Sequence, residues 1–186
     1  MFSRFIFWPW FAGVTLLVAG LAAASRELSA AHRLDKLIVL GRLFFAAPLA
    51  VFGAEHLSGA QFVVPIVPPW MPARLFWVYF VGAALVAAAI SIVLMKQVRW
   101  SATLLGVMFF LFVLLLHLPK AATNPRDRIA WAVALRDLAF GGGALALAAT
   151  QTKEWRVHGS SRLAIVGRVC IAIPVIFFGV EHFLHP

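Results

Sequence analysis

Residues 101–118 read SATLLGVMFFLFVLLLHL, eighteen positions without an Asp, Glu, Lys or Arg. About 20 residues of this kind, coiled as a helix, cross a hydrocarbon core ~30 Å thick. Working outward, runs of similar length recur at about 5–24, 37–57, 75–95, 129–149 and 163–183. In lipid the backbone must satisfy its own hydrogen bonds, so each run reads as a helix. The chain therefore reads as an all-α membrane protein of about six transmembrane helices, forming one helical-bundle domain over 1–186. Composition agrees: 63% hydrophobic residues, 12% charged residues and a mean hydropathy of +0.94 leave too little charge to cover a water-soluble globule.

The net charge of +9 does not imply nucleic acid. Lys and Arg sit in short segments between apolar runs rather than in a dense stripe with interleaved aromatics, so the expected counter-charge is anionic lipid headgroups. Cys170 is the single cysteine, lies inside an apolar run and has no intrachain partner for a disulfide.

Positive charge also orients the spans. The first, third and fifth connections and adjoining helix ends carry Arg26, Arg33, Lys36, Arg42, Lys96, Arg99, Lys153, Arg156, Arg162 and Arg168. The opposite side carries Arg4, Arg74, Lys120, Arg126 and Arg128. Ten against five places both termini outside. The first run, FIFWPWFAGVTLLVAGLAAAS, ends in small residues as a cleavable signal does, but its leading segment has only Arg4. Cleavage would also leave the basic 26–36 segment outside, against the charge bias, so a retained span is expected. Connection 58–74, SGAQFVVPIVPPWMPAR, is apolar, and prolines as dense as Pro65, Pro68, Pro69 and Pro72 exclude a helix there. It reads as a cap over the outer helix ends, anchored by Trp70 and Trp77, or as an ordinary interfacial loop.

Segment 41–56, GRLFFAAPLAVFGAEH, recurs as 167–182, GRVCIAIPVIFFGVEH, with eight identities in 16 positions at a constant offset of 126. Both copies run inside to outside, so the repeat is parallel, and from sequence it is one helix long. Pro48 and Pro174 bend their helices. Gly41, Gly53, Gly167 and Gly179 are expected to permit close helix approach, and Arg42 and Arg168 lie near enough to the inner boundary to snorkel. Positions 14 apart realign on a helix, so Arg42 and His56 share one face and Gly41, Pro48 and Glu55 share another.

The remaining polar residues gather at the outer ends. Glu55 and His56 close one copy of the repeat, Glu181 and His182 the other, His117 closes LLLHLP, and Arg136 and Asp137 lie two turns into IAWAVALRDLAFGGG. Ionisable residues at membrane depth face a bundle interior or water, and they are functional candidates. Glu55, His56, His117, Arg136, Asp137, Glu181 and His182 are thus expected to line an outer-side polar pocket. Three chemistries compete for it. His56, His117 and His182 are candidate metal ligands, although no His pair at i,i+4 and no CxxC supports them. A quinone-like head group suits His and Arg donors with carboxylates handling protons. In the third, the charges satisfy one another and set helix register. His185 reads as interfacial. Gly141, Gly142 and Gly143 read as helix packing rather than a phosphate loop.

The GR-x(5)-P-x(4)-GxEH helix, the PPWMP turn at 68–72, FWVYFVGAAL at 76–85 and LLGVMFFLFVLLLHLP at 104–119 together resemble the DoxX-like family of small membrane proteins. The similarity covers residues 37–150 and implies a four-helix core with one extra helix at each end. Some DoxX-like proteins are subunits of quinone-reducing, thiosulfate-oxidising membrane enzymes, others have no assigned activity, and distant relatives include membrane cargo receptors and chaperones. GGGALALAATQTKEW (141–155) stands where the family often has a glycine-rich ending with a Ser and an Asp. No catalytic residue is carried over, and catalysis itself is left open. The resemblance implies an accessory or quinone-linked redox component that meets other membrane-complex subunits. The alternatives are a non-enzymatic partner or chaperone, whose polar cluster is structural, and a small-solute transporter.

Overall fold

The computed structural model describes residues 2–159 and 161–184, with side chains described from Phe7 onward except that of Arg156. His185 lies outside the described residues, as do the side chains of Arg4 and Arg156. Among the described residues every regular element is helical. Five helical segments are long and apolar enough to cross a membrane: Asp35–Ser58, Arg74–Val93, Val98–Thr123, Arg128–Thr150 and Arg162–Leu184. The described apolar part of the first helix, Phe7–Ala23, is shorter. The protein is a multi-pass helical membrane protein.

The chain divides into two compact units, Met1–Gln97 and Val98–Pro186, where the sequence reads as one domain. The first contains α1 (Phe2–Ala23), α2 (Ser25–Ala30), α3 (Asp35–Ser58), α4 (Ala60–Val63) and α5 (Arg74–Val93). Helix α3 is central and packs on both α1 and α5. Lipid gives two helices no hydrophobic drive to associate, so close backbone approach at small residues has to hold them together. Gly13 of α1 leaves no space for a Cβ against Val51 and faces the Ala47 carbonyl, while Gly53 of α3 crosses Gly82 of α5. A Cβ on Gly53 would stand 2.9 Å from the Gly82 carbonyl oxygen.

The proline-rich connection is more ordered than its composition suggests. It forms α4 and one 3-10 turn, Val64–Ile66, with Pro65 in the first turn, where its missing N–H costs no internal bond. Ala60, Val67 and Val78 form a buried cluster, with Val63, Val64 and Met71 packed against it, so the connection folds onto the start of α5. Trp77 donates Nε1–H to the Pro72 carbonyl at 3.0 Å, whereas Trp70 is exposed.

The second unit contains α6 (Val98–Phe112), a π-helical turn (Val113–His117), α7 (Leu118–Thr123), α8 (Arg128–Thr150), α9 (Lys153–His158) and α10 (Arg162–Leu184). Here α8 is central, with α6 and α10 as its neighbours. Its glycines make both contacts: Gly141 faces the Gly106 carbonyl of α6, and Gly142 faces Gly167 and Cys170 of α10. Asp127 caps α8 by accepting from the N–H groups of Ile129 and Ala130 at 3.0 and 3.1 Å.

The elements around the two motif copies follow one order. Long helix, short helix, left-handed turn and long helix occur in the order α1, α2, Arg33, α3 and again in the order α8, α9, Gly159, α10. The left-handed residues, Arg33 (φ 36°) and Gly159 (φ 64°), lie at the same offset of 126 as the sequence motif. The same order of elements, a helical hairpin with a short intervening helix, thus surrounds both copies of the motif. In both copies the motif arginine reaches back to its own short helix. Arg42 forms a bidentate ion pair with Glu27 of α2. Arg168 stands over the Trp155 ring of α9, 5.7 Å from its centroid. Both arginines therefore hold protein partners rather than simply snorkelling to the interface.

The four repeat glycines split, which corrects the expectation that all of them support close approach. Gly53 and Gly167 are pressed against backbone, while Gly41 and Gly179 have nothing within 4 Å of a Cβ position. The two copies bury different faces of the same motif.

Candidate functional site

Asp137 is the one charged residue that is fully buried among the described residues, with 4% of its surface exposed. It lies nine residues into α8, about 13 Å along the helix axis from Arg128 at 1.5 Å per residue. His117 of the same unit meets it: Nε2 stands 2.9 Å from Asp137 Oδ2. On the other side Arg136 donates Nε–H to Asp137 Oδ1 at 3.0 Å, with a second guanidinium nitrogen also 3.0 Å away. The His117 side chain is 13% exposed and the Arg136 side chain 49%. A buried carboxylate is thus held between an imidazole and a guanidinium.

The local backbone explains how His117 reaches this position. Pro119 has no N–H, and its ring crowds the carbonyl four residues back, at Leu115. The helix widens there into the π turn, and the Leu118 N–H bonds to the Val113 carbonyl five residues back. Such widened turns are frequent at functional sites. His117 closes the turn and projects toward α8.

An ionised carboxylate only accepts hydrogen bonds, so Nε2 of His117 carries a hydrogen. In the neutral ring Nδ1 is then a lone pair. Nδ1 has no partner among the described residues and is not fully covered, since the fully covered side-chain nitrogen without a partner is Arg42 Nε. The arrangement orients an imidazole with a carboxylate and leaves its second nitrogen open for exchange.

Comparison of the chain with protein-family models, curated proteins and solved structures finds no match in any of the three.

The other expected site residues distribute as follows. Glu181 pairs with Arg128 at 2.5 Å, joining the end of α10 to the start of α8. Arg128 enters the sequence reading only as an outer charge; its position at the first residue of a span opposite the end of another was the available signal. His182 donates Nδ1–H to the Phe178 carbonyl at 2.8 Å, and His56 donates Nδ1–H to the Phe52 carbonyl at 2.7 Å. These two bonds are the same interaction in the two copies of the repeat, each tying a histidine to its own helix. Glu55 is half-buried and has no hydrogen bond or ion pair among the described residues. Glu55 and His56 belong to the first unit and the other five to the second. Among the described residues no three His, Cys, Asp or Glu side chains are grouped to hold a metal ion.

Proposed function

We propose that the chain is a DoxX-like protein of six spans in a bacterial inner membrane, with both termini outside, and that it serves as a quinone-linked accessory component of a membrane redox complex. The observation that carries this reading is the His117–Asp137 pair, whose second imidazole nitrogen is open. A quinol hydroxyl would donate to Nδ1 of His117, and the imidazolium formed on proton transfer would be stabilised by Asp137. Arg136 would bring fixed positive charge to a quinone carbonyl oxygen. Electron exchange would fall to a partner subunit of the complex. The short apolar helix α1 supports a sixth span, and the charge bias supports the orientation.

Purified protein in detergent, titrated with a short-chain quinone, should show a rise in melting temperature and a quenching of Trp fluorescence. His117→Gln should abolish both responses while keeping the melting temperature of the ligand-free protein within a few degrees. Equal responses in wild type and variant, or none in wild type with no quinone extractable, would overturn the proposal. A second reading has its own support, because both oxygens of Asp137 are already bonded within the unit. In that reading the cluster holds the bundle of a non-enzymatic membrane partner. Loss of folding in His117→Gln, with no quinone response in wild type, would favour it.

A further inference from the structure

The two motif arginines stand at equivalent places but meet opposite charges. Arg42 pairs with Glu27, which lies 15 residues before it in α2. At the same spacing before Arg168 stands Lys153, the first residue of α9. Where the first copy places a carboxylate, the second therefore places a cation. The Trp155 ring holds the Arg168 guanidinium from one face, which leaves its in-plane N–H donors without an oxygen acceptor among the described residues. The acidic residues of the second unit do not supply one. Asp127 caps α8, Asp137 is bonded to His117 and Arg136, and Glu181 pairs with Arg128. Glu154, next to Lys153, forms no ion pair among the described residues. Depth makes the missing acceptor matter. Arg168 lies six residues beyond Arg162, about 9 Å along a helix that is long and apolar enough to cross a membrane. A guanidinium stays ionised at that depth and needs an anion within reach.

We infer that Arg168, Lys153 and Trp155 form a binding site for the phosphodiester of an anionic lipid. The phosphate oxygens take the place on Arg168 that the Glu27 carboxylate takes on Arg42, since both anions match the planar fork of a guanidinium. Lys153 adds a second positive charge. Trp155 suits the headgroup level, where indole rings collect. A lipid rather than free phosphate is the source, because the arginine belongs to a membrane-crossing helix. The site differs from the general attraction of basic connections for anionic headgroups, because it needs one arginine held in one place. It depends neither on quinone binding nor on the orientation of the chain.

The test measures the melting temperature of the purified full chain in lipid-free detergent, then with phosphatidylglycerol, phosphatidylcholine or inorganic phosphate added. Phosphatidylglycerol should raise the wild-type value about 2–4 °C above that with phosphatidylcholine. Arg168→Gln should lose most of this difference, whereas Arg26→Gln, which removes an exposed cation of the first unit, should keep it. Lys153→Glu installs the carboxylate of the first copy. It should raise the melting temperature in lipid-free detergent and remove the response to phosphatidylglycerol. Equal wild-type values in the two lipids, or a difference that survives Arg168→Gln, would overturn the inference. So would an equal loss in Arg26→Gln, which would mark unspecific charge attraction, or a response to inorganic phosphate as large as that to phosphatidylglycerol.

Discussion

Asp137 concentrates the polar chemistry of the second unit. With 6% of its side chain exposed it cannot rely on water, and both of its oxygens are bonded to protein. Asp137→Asn keeps the shape and one acceptor but loses the charge that orients His117. A loss of about 1–2 kcal/mol is expected, the upper range for a hydrogen bond between membrane helices. Asp137→Ala strands the imidazole and guanidinium and should cost about 3 kcal/mol or more. Denaturation of the purified protein in mixed micelles measures both, and two values within error of wild type would show that the cluster carries no structural energy. The sequence singles out Arg136, Asp137 and His117 because ionisable residues inside apolar runs are conspicuous. It does not show which of seven polar side chains bond to one another. That depends on the π turn at 113–117, whose cause, Pro119, lies in plain view but whose geometric effect emerges only in three dimensions.

At the scale of the elements, the repeat glycines make a paired test. A Cβ on Gly167 would stand 2.6 Å from the Gly142 carbonyl oxygen, and one on Gly53 would stand 2.9 Å from the Gly82 carbonyl oxygen. Gly167→Val and Gly53→Val should each destabilise by about 1–3 kcal/mol or more through forced helix separation. Their repeat partners are open, so Gly41→Ala and Gly179→Ala should be neutral or stabilising by up to about 1 kcal/mol, as for Gly→Ala inside a helix. Thermal melting of the four variants in detergent should therefore split them two against two, across rather than along the repeat. The same sign at both members of a pair would mean that the two copies pack alike. The motif is legible at offset 126, but its extension to a hairpin is not, because α1 and α8 share boundaries rather than side chains. What the two share there is helix length and turn geometry, to which a comparison of residue letters is blind.

For the whole molecule, the prediction concerns topology. In a Cys170→Ser background, a membrane-impermeant maleimide applied to intact spheroplasts should label Ser58→Cys and Ala122→Cys. Gln97→Cys and Glu154→Cys should react only after the membrane is permeabilised. The reverse pattern would invert the orientation, and labelling of all four from one side would break the span assignment. The class and the five long apolar helices are legible in the sequence alone, because the bilayer acts as a solvent of known thickness and long charge-free runs have one stable conformation in it. The seat of each helix is decided only by tertiary structure. Apolar residues tolerate lipid on any face, so hydropathy does not choose neighbours. The choice falls to close backbone contacts at Gly53, Gly142 and Gly167 and to the buried charge of Asp137. For that reason one motif, identical at half of its positions in the two copies, presses different glycines against its neighbours in α3 and α10.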